Sequence, residues 1–171
     1  MAMPAYMTIE GKVQGHINTK ASSKESIGGS DQEGYIDKIK VIAFEHSVTV
    51  PRDPLAGTPT GKRVHHPIRV TKPLDRTSPL LMSALTIGEI LKTVTIYCYR
   101  PSDMGAEIYY EIILENATIV EIRDVMPDCL NEDDSHRTQM QEVSFAYKKI
   151  TWKHAVAGTE AVDDWSTSKT S

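Results

Sequence analysis

Period-two alternation governs most of this chain. Met7, Ile9, Gly11 and Val13 alternate with Thr8, Glu10, Lys12 and Gln14. Val94, Ile96 and Cys98 alternate with Thr93, Thr95, Tyr97 and Tyr99, and Ile108, Tyr110, Ile112 and Leu114 with Tyr109, Glu111, Ile113 and Glu115. A run with that period is a strand that buries one face and wets the other. The third run is apolar on both parities, since Tyr109 and Ile113 oppose Ile108 and Ile112. Such a strand is covered on both faces, and in a small domain with little helix another subunit is a candidate for the second cover. Seven or so strands of this kind predict an all-β sandwich or barrel.

The remaining runs mark corners. Residues 35–50 read as one long strand or two joined ones, because the apolar set moves from Ile39, Val41 and Ala43 to Phe44, Val48 and Val50. A change of face needs a bulge or bend. Val64, His66, Ile68 and Val70 share one face of a returning strand, and residues 117–125 form a further run leading into Met126-Pro127. Val143, Phe145 and Tyr147 share one parity whereas Ile150 and Trp152 share the other, which predicts a bulge at Lys148-Lys149. One helix is expected at about 79–87, with Ser78 as cap, Pro79 in the tolerated first turn and Gly88 as a left-handed stop. Leu81, Ala84, Leu85 and Gly88 give it one narrow apolar stripe. About ten residues are too few for a helix to stand alone in water, so it must dock on the β structure. Residues 16–34 are a polar loop, and from Gly158 the chain is a polar tail expected to fray. With 40% hydrophobic residues in 171, the chain is long enough for one domain, 1–171, with a real core.

The stretch SVTVPRDPLAGTPTGKRVHHP, residues 47–67, breaks the pattern. Pro51, Pro54 and Pro59, with Gly57 and Gly61, make an extended loop of about 50–62 between two β-type runs. Proline fixes φ and removes a donor, so this segment does not pair in the middle of a sheet. Leu55 among the prolines and strong strands at both ends argue against disorder. Long loops inside compact domains are usually functional or disordered. Two readings stand: a stiff arm pre-organised to touch something outside its own domain, or a wide hairpin loop with no partner.

Chemistry is harder to find. Gly57-Thr-Pro-Thr-Gly61-Lys62-Arg63 superficially resembles a phosphate-binding loop, but it has three residues between glycines, an arginine after the lysine and a strand to follow. His65 and His66 are neighbours on a strand and point to opposite faces, and no histidine has ligand-like spacing with Cys98 or Cys129. No metal or cofactor is expected. NEDDSH at 131–136 lacks the frame of a calcium loop and reads as a solvated acidic turn. Cys98 reads as a small core residue, and two cysteines make no disulfide framework. Asn116-Ala-Thr118 is formally a glycosylation acceptor, but no secretory signal precedes it. No nucleophile motif is present, and Asp163-Asp164 lies too near a polar tail for acid–base work. A net charge of −4 gives no footprint for nucleic acid, and no apolar run reaches the length of a membrane span.

Taken together, five stretches carry a resemblance. MPAYMTIEGKVQG, the arm VTVPRDPLAGTPTGKRVHHP, PLLMSALTIGEIL, ATIVEIRDVMPDC and EVSFAYKKITWKHAVAGTEAVDDW resemble, in order, the Hcp (haemolysin-coregulated protein) family, the tube subunit of the bacterial type VI secretion system. The resemblance implies a closed β-barrel of two antiparallel sheets with one flanking helix, and a homo-hexameric ring that stacks into a hollow tube. It implies a contractile sheath around the tube, a spike at its tip and small effector proteins in its lumen, with no catalytic residue and no cofactor. Assembly would take place in the bacterial cytoplasm, and export through the apparatus would need no cleaved signal peptide. A free hexameric ring serving as effector chaperone or adaptor is the alternative, and a monomeric hydrolase-like β domain a third reading. For contact between copies, Val50, Pro51, Arg52, Asp53, Pro54, Leu55, Gly57, Pro59 and Gly61 are the candidates, Arg52 and Asp53 as polar partners and Leu55 as apolar tip.

Overall fold

In chain order the strands are β1 (Ala5–Gly11), β2 (Gly15–His16), β3 (Ile39–Val41), β4 (Ala43–Glu45), β5 (Val48–Thr49), β6 (Val64–His65), β7 (Ile68–Pro73), β8 (Leu91–Ser102), β9 (Gly105–Val125), β10 (Met140–Ala146), β11 (Lys149–His154) and β12 (Thr159–Asp164). Two α-helices join them, α1 (Lys24–Ile27) and α2 (Ser78–Ile87). The computed structural model describes residues 3–30 and 33–165.

All ladders are antiparallel. One face is built in the order β3–β1–β8–β9–β11–β12, with β2 also on the edge of β1; the other runs β9–β10–β7–β4. Strand β9 belongs to both. Through Ala117 it pairs with β8 or β11, and from Thr118 onward with β10. The bend between the halves is Asn116, in the left-handed region with φ 50°. The residues expected as two strands, 108–115 and 117–125, are therefore one bent strand.

The opposite corner is Ile42. Strand β3 pairs with β1 and β4 with β7, and the intervening Ile42 N–H donates to the Thr71 carbonyl at 2.8 Å. The change of face foreseen in 35–50 is this step from one sheet to the other. The closed barrel is not realised as a closed ladder: no sheet among the described residues is hydrogen-bonded into a ring. Strands β3 and β4 are too short, at three residues each, to pair with both neighbours at once. The parity change at Lys148 is likewise a junction: β10 and β11 lie end to end along β9, and the Lys148 N–H donates to Glu115 opposite the Asn116 bend.

A single apolar cluster fills the space between the faces, with Met7, Ile9, Ile96, Leu114, Phe145 and Ile150 fully or almost fully buried. Helix α2 adds Leu81 and Ala84 to it. Pro79 sits in its first turn and Gly88, at φ 68°, ends it as expected. Ser78 does not cap it; Thr77 holds the cap position without a side-chain bond. Ser78 Oγ instead accepts from the Asp75 N–H at 3.1 Å and from Lys72 Nζ at 3.0 Å. Lys72 is wholly buried and also donates to Asp75 Oδ1 at 3.0 Å, so an ion pair fastens the start of α2 to β7. Burial lowers the Lys72 pKa, while Asp75 works against that shift.

Two expectations change. The polar loop 16–34 contains a second, short helix, α1, because Ile17 and Ala21 are buried and Asn18 works as a buried anchor. Asn18 accepts from the Ile9 N–H at 3.0 Å and donates to the Asp37 carbonyl at 2.7 Å, so polar composition conceals an ordered segment. The polar tail from Gly158 does not fray within the described residues. It becomes β12, paired with β11 over its whole length after a turn at Gly158, φ 75°.

Candidate functional site

Strands β4, β5, β6 and β7 make one long hairpin whose far end is the proline arm. Glu45 pairs with Arg69, Val48 with His65, Thr49 with Val64, and Arg52 bridges to Pro59. The interruption at residues 46–47 and 66–67 includes Pro67, which has no N–H to give. The tip closes on itself: the Asp53 N–H donates to Thr58 O and the Gly57 N–H to Asp53 O, both at 2.8 Å. The Asp53 carboxylate accepts from the Leu55 and Ala56 N–H groups at 2.8 and 3.3 Å. Arg52 Nη1 donates to the Gly57 carbonyl at 3.0 Å, and Gly57 takes the left-handed φ of 68° that closure needs. Val50, Pro51, Pro54, Pro59 and Gly61 are exposed, and Leu55 is 97% exposed. Arg52 and Asp53 thus shape the tip, and Leu55 is what the tip presents.

The base of the arm is held by side chains from distant segments. Tyr147 Oη lies 2.7 Å from His65 Nδ1 and 2.7 Å from His46 Nε2. His65 Nε2 lies 2.7 Å from Asp163, which also receives two bonds from the Arg63 guanidinium. A carboxylate only accepts, so His65 Nε2 donates to Asp163; the Tyr147 hydroxyl, which can donate one bond and accept another, bridges His65 Nδ1 and His46 Nε2. Trp165 stacks on His65 with ring centres 5.8 Å apart, and its backbone N–H donates to the Lys148 carbonyl. The Arg63 bonds hold the Asp163 carboxyl below its usual range, with His65 adding to the effect. Burial, then His65 and His66, lowers the His46 pKa, and burial with Asp163 pushes the Tyr147 hydroxyl up.

Sequence reading placed the arm but missed its anchor. It weighed His65 and His66 only as metal ligands and set Asp163 aside as part of a tail. The structure sends the two histidines apart, His65 to Tyr147 and Asp163 and His66 to Thr49 Oγ1 at 3.0 Å. No group of three His, Cys, Asp or Glu side chains able to hold a metal occurs among the described residues. Cys98 is half-buried instead of fully in the core, with burial pushing its thiol up, and Cys129 is exposed. An open groove of about 500 Å³ lies where β8 runs past the start of β1, lined by Ala5, Val41, Phe44, Cys98, Tyr99 and Tyr109. Beside it, Lys38 Nζ donates to the Tyr99 hydroxyl at 2.9 Å, and burial among neighbouring tyrosines and Glu111 pushes Tyr99 up to about 12. No described helix is long and apolar enough to cross a membrane.

What the geometry offers is an exposed arm, folded at its tip and fastened at its base. The family model described as "Type VI secretion system effector, Hcp" matches residues 6–154. The "Major exported protein" of Pseudomonas aeruginosa is 49% identical over 166 residues, 96% of each chain. A crystal structure of an Hcp protein superposes with a TM-score of 0.91 at 40% identity, covering 95% of this chain and 97% of that one. The secreted protein Hcp3 from Pseudomonas aeruginosa gives 0.81 at 44% identity, covering 96% and 99%. With the match running from β1 to the end of β11, and the same fold in both solved relatives, this chain belongs to the Hcp family of type VI secretion proteins.

Proposed function

We propose that this protein is the tube subunit of a type VI secretion apparatus. Each copy is one barrel-like domain; six close into a ring, and rings stack into a hollow tube. A contractile sheath surrounds that tube, a spike tips it, and small effector proteins travel in its lumen. It is assembled in the cytoplasm and leaves through the apparatus itself. The subunit performs no catalysis and holds no cofactor.

One observation carries this reading. The arm is a pre-folded hairpin that satisfies its tip within itself, is fastened at its base and presents Leu55 to solvent. Pre-organisation of this kind removes the ordering cost of binding, and an arm meeting a different surface on the next copy is the heterologous contact from which rings and stacks are built. The test is native mass measurement paired with negative-stain microscopy, on the full chain and on a variant whose residues 50–61 are a short Gly-Ser turn. Hexamers and stacks are expected from the first; the variant should stay folded and lose the stacks. Single copies only overturn the reading, and a variant that stacks normally overturns the arm's part in it. Rings that never stack identify the free chaperone ring instead.

A further inference from the structure

We propose that the surface receiving the arm is the acidic loop between β9 and β10 of a second copy, with Leu55 seated against Leu130 and Met126. This rests on the tube reading and names the partner surface of its arm.

The topology puts the two features at opposite ends of one sheet. Strand β10 pairs Phe145 with Ile68 and Met140 with Pro73. The arm leaves beyond the Ile68 end, as the continuation of the β4–β7 hairpin. The acidic loop leaves beyond the other end, between Val125 and Met140, which pair with each other. Six-residue strands separate the two by about 20 Å, and an arm of six or seven residues beyond Val64 reaches about as far. An arm therefore does not fold back onto its own loop; it meets the loop of a copy placed head to tail.

The chemistry matches across that gap. In the loop, Leu130 is 90% exposed and Met126 65%, large apolar side chains left in water. Around them stand Asp128, Glu132, Asp133 and Asp134 against one cation, Arg137. Asp134 is paired with Arg137 and Asp128 caps the Leu130 N–H, whereas the Glu132 and Asp133 carboxylates have no side-chain partner among the described residues. The loop is nevertheless shaped: Asn131 Oδ1 accepts from the Asp133 N–H at 3.1 Å at the start of a 3-10 turn. The arm carries Arg52, Lys62 and Arg63 against Asp53 alone, and the Asp53 carboxylate is spent on the tip. Arg63 belongs to the anchor; among the described residues Lys62 is unpaired, and Arg52 gives one N–H to Gly57 and keeps the rest. An apolar tip with cations behind it faces an apolar pair rimmed by carboxylates, the complementarity that fixes register between copies.

Cys129, exposed and next to Leu130, supplies the test. Full-length Leu55→Cys, oxidised gently under stacking conditions, should give a ladder of covalently joined copies on a non-reducing gel, and the same variant with Cys129→Ser should lose it. Separately, Glu132→Lys with Asp133→Lys should raise the concentration needed for stacking about tenfold or more, with single rings intact, and adding Lys62→Glu should restore much of it. A ladder that persists without Cys129, or stacking indifferent to the charge reversal, overturns the proposal. If the Gly-Ser arm variant fails to stack while both of these results come out negative, the tube reading stands and only this acceptor surface falls.

Discussion

Replacing Tyr147 by Phe removes one oxygen and leaves the ring. Tyr147 is buried, so the ring keeps its packing and the change isolates the hydroxyl. Two bonds of 2.7 Å disappear. His65, whose side chain is 1% exposed, loses the partner of a ring nitrogen that water does not easily reach, while the half-buried His46 can turn its nitrogen outward. A buried polar atom stripped of its partner costs about 1–3 kcal/mol, and an ordinary bond exchanged for water about 0.5–1.5. The expected loss is therefore about 2–3 kcal/mol, which for a chain of this length lowers Tm by roughly 4–12 °C. The measurement is thermal unfolding of dilute single copies, joined to hydrogen exchange at Thr49, Val64 and His65. Exchange should rise there and stay unchanged in β9. A Tm within about 1 °C of the parent, with β5 and β6 still protected, would show that this hydroxyl anchors nothing, since even one lost buried bond predicts more.

The same anchor should respond to pH in two steps. His46 has a folded pKa below its ordinary 6.5, so its contribution is complete above that value and is lost as pH falls from 6.5 toward the folded pKa; Tm against pH should slope there in the parent and flatten in His46→Gln. Asp163, also depressed, contributes above its ordinary 3.8 and loses that contribution as pH falls through its lower folded value, a second step that Asp163→Asn should abolish. Elsewhere, a Cβ on Gly11 would stand 2.6 Å from a Glu89 carboxylate oxygen. Glu89 is buried and holds the Val13 and Gln14 N–H groups at 3.0 and 2.8 Å, so it has no free direction to yield; Gly11→Ala should cost about 1–3 kcal/mol in urea unfolding, and a neutral result would mean the β1–β2 turn shifts freely.

Where the fold was legible, parity made it so. The apolar set changes face in 35–50 and again at Lys148, and those are the places where the chain turns from one partner to another. Asn116 carried the same signal: Ile112 and Leu114 are buried on one parity, Ala117 and Ile119 on the other. Glu115-Asn116 looks like a turn by composition, so one bent strand was divided into two. Helix α1 was missed because four residues cannot display a helical period, and β12 because an edge strand with Thr159 to Val162 exposed has no apolar face to show. The closed barrel was implied by the family resemblance and is not confirmed, since no sheet among the described residues is closed. Alternation says which face of a strand is buried, but not whether a three-residue strand reaches both neighbours.

The arm and its anchor differ in legibility because they differ in range. Every bond that shapes the tip joins residues from Pro51 to Thr60, so prolines, Asp53 and Gly57 announce it locally. The anchor joins His46 to Tyr147 and both Arg63 and His65 to Asp163, about a hundred positions apart, and no spacing rule reaches that far. That separation has a mechanical consequence. The arm's own hairpin is two short ladders and one bridge, too little to fix a direction in water. Direction comes instead from Asp163 and Trp165 at the end of β12, an edge strand that contributes little to the core. The last described strand thus holds the base of the arm, and the residues of the anchor contribute both to stability and to arm direction. Variants that loosen this anchor should therefore lose stability and arm direction together.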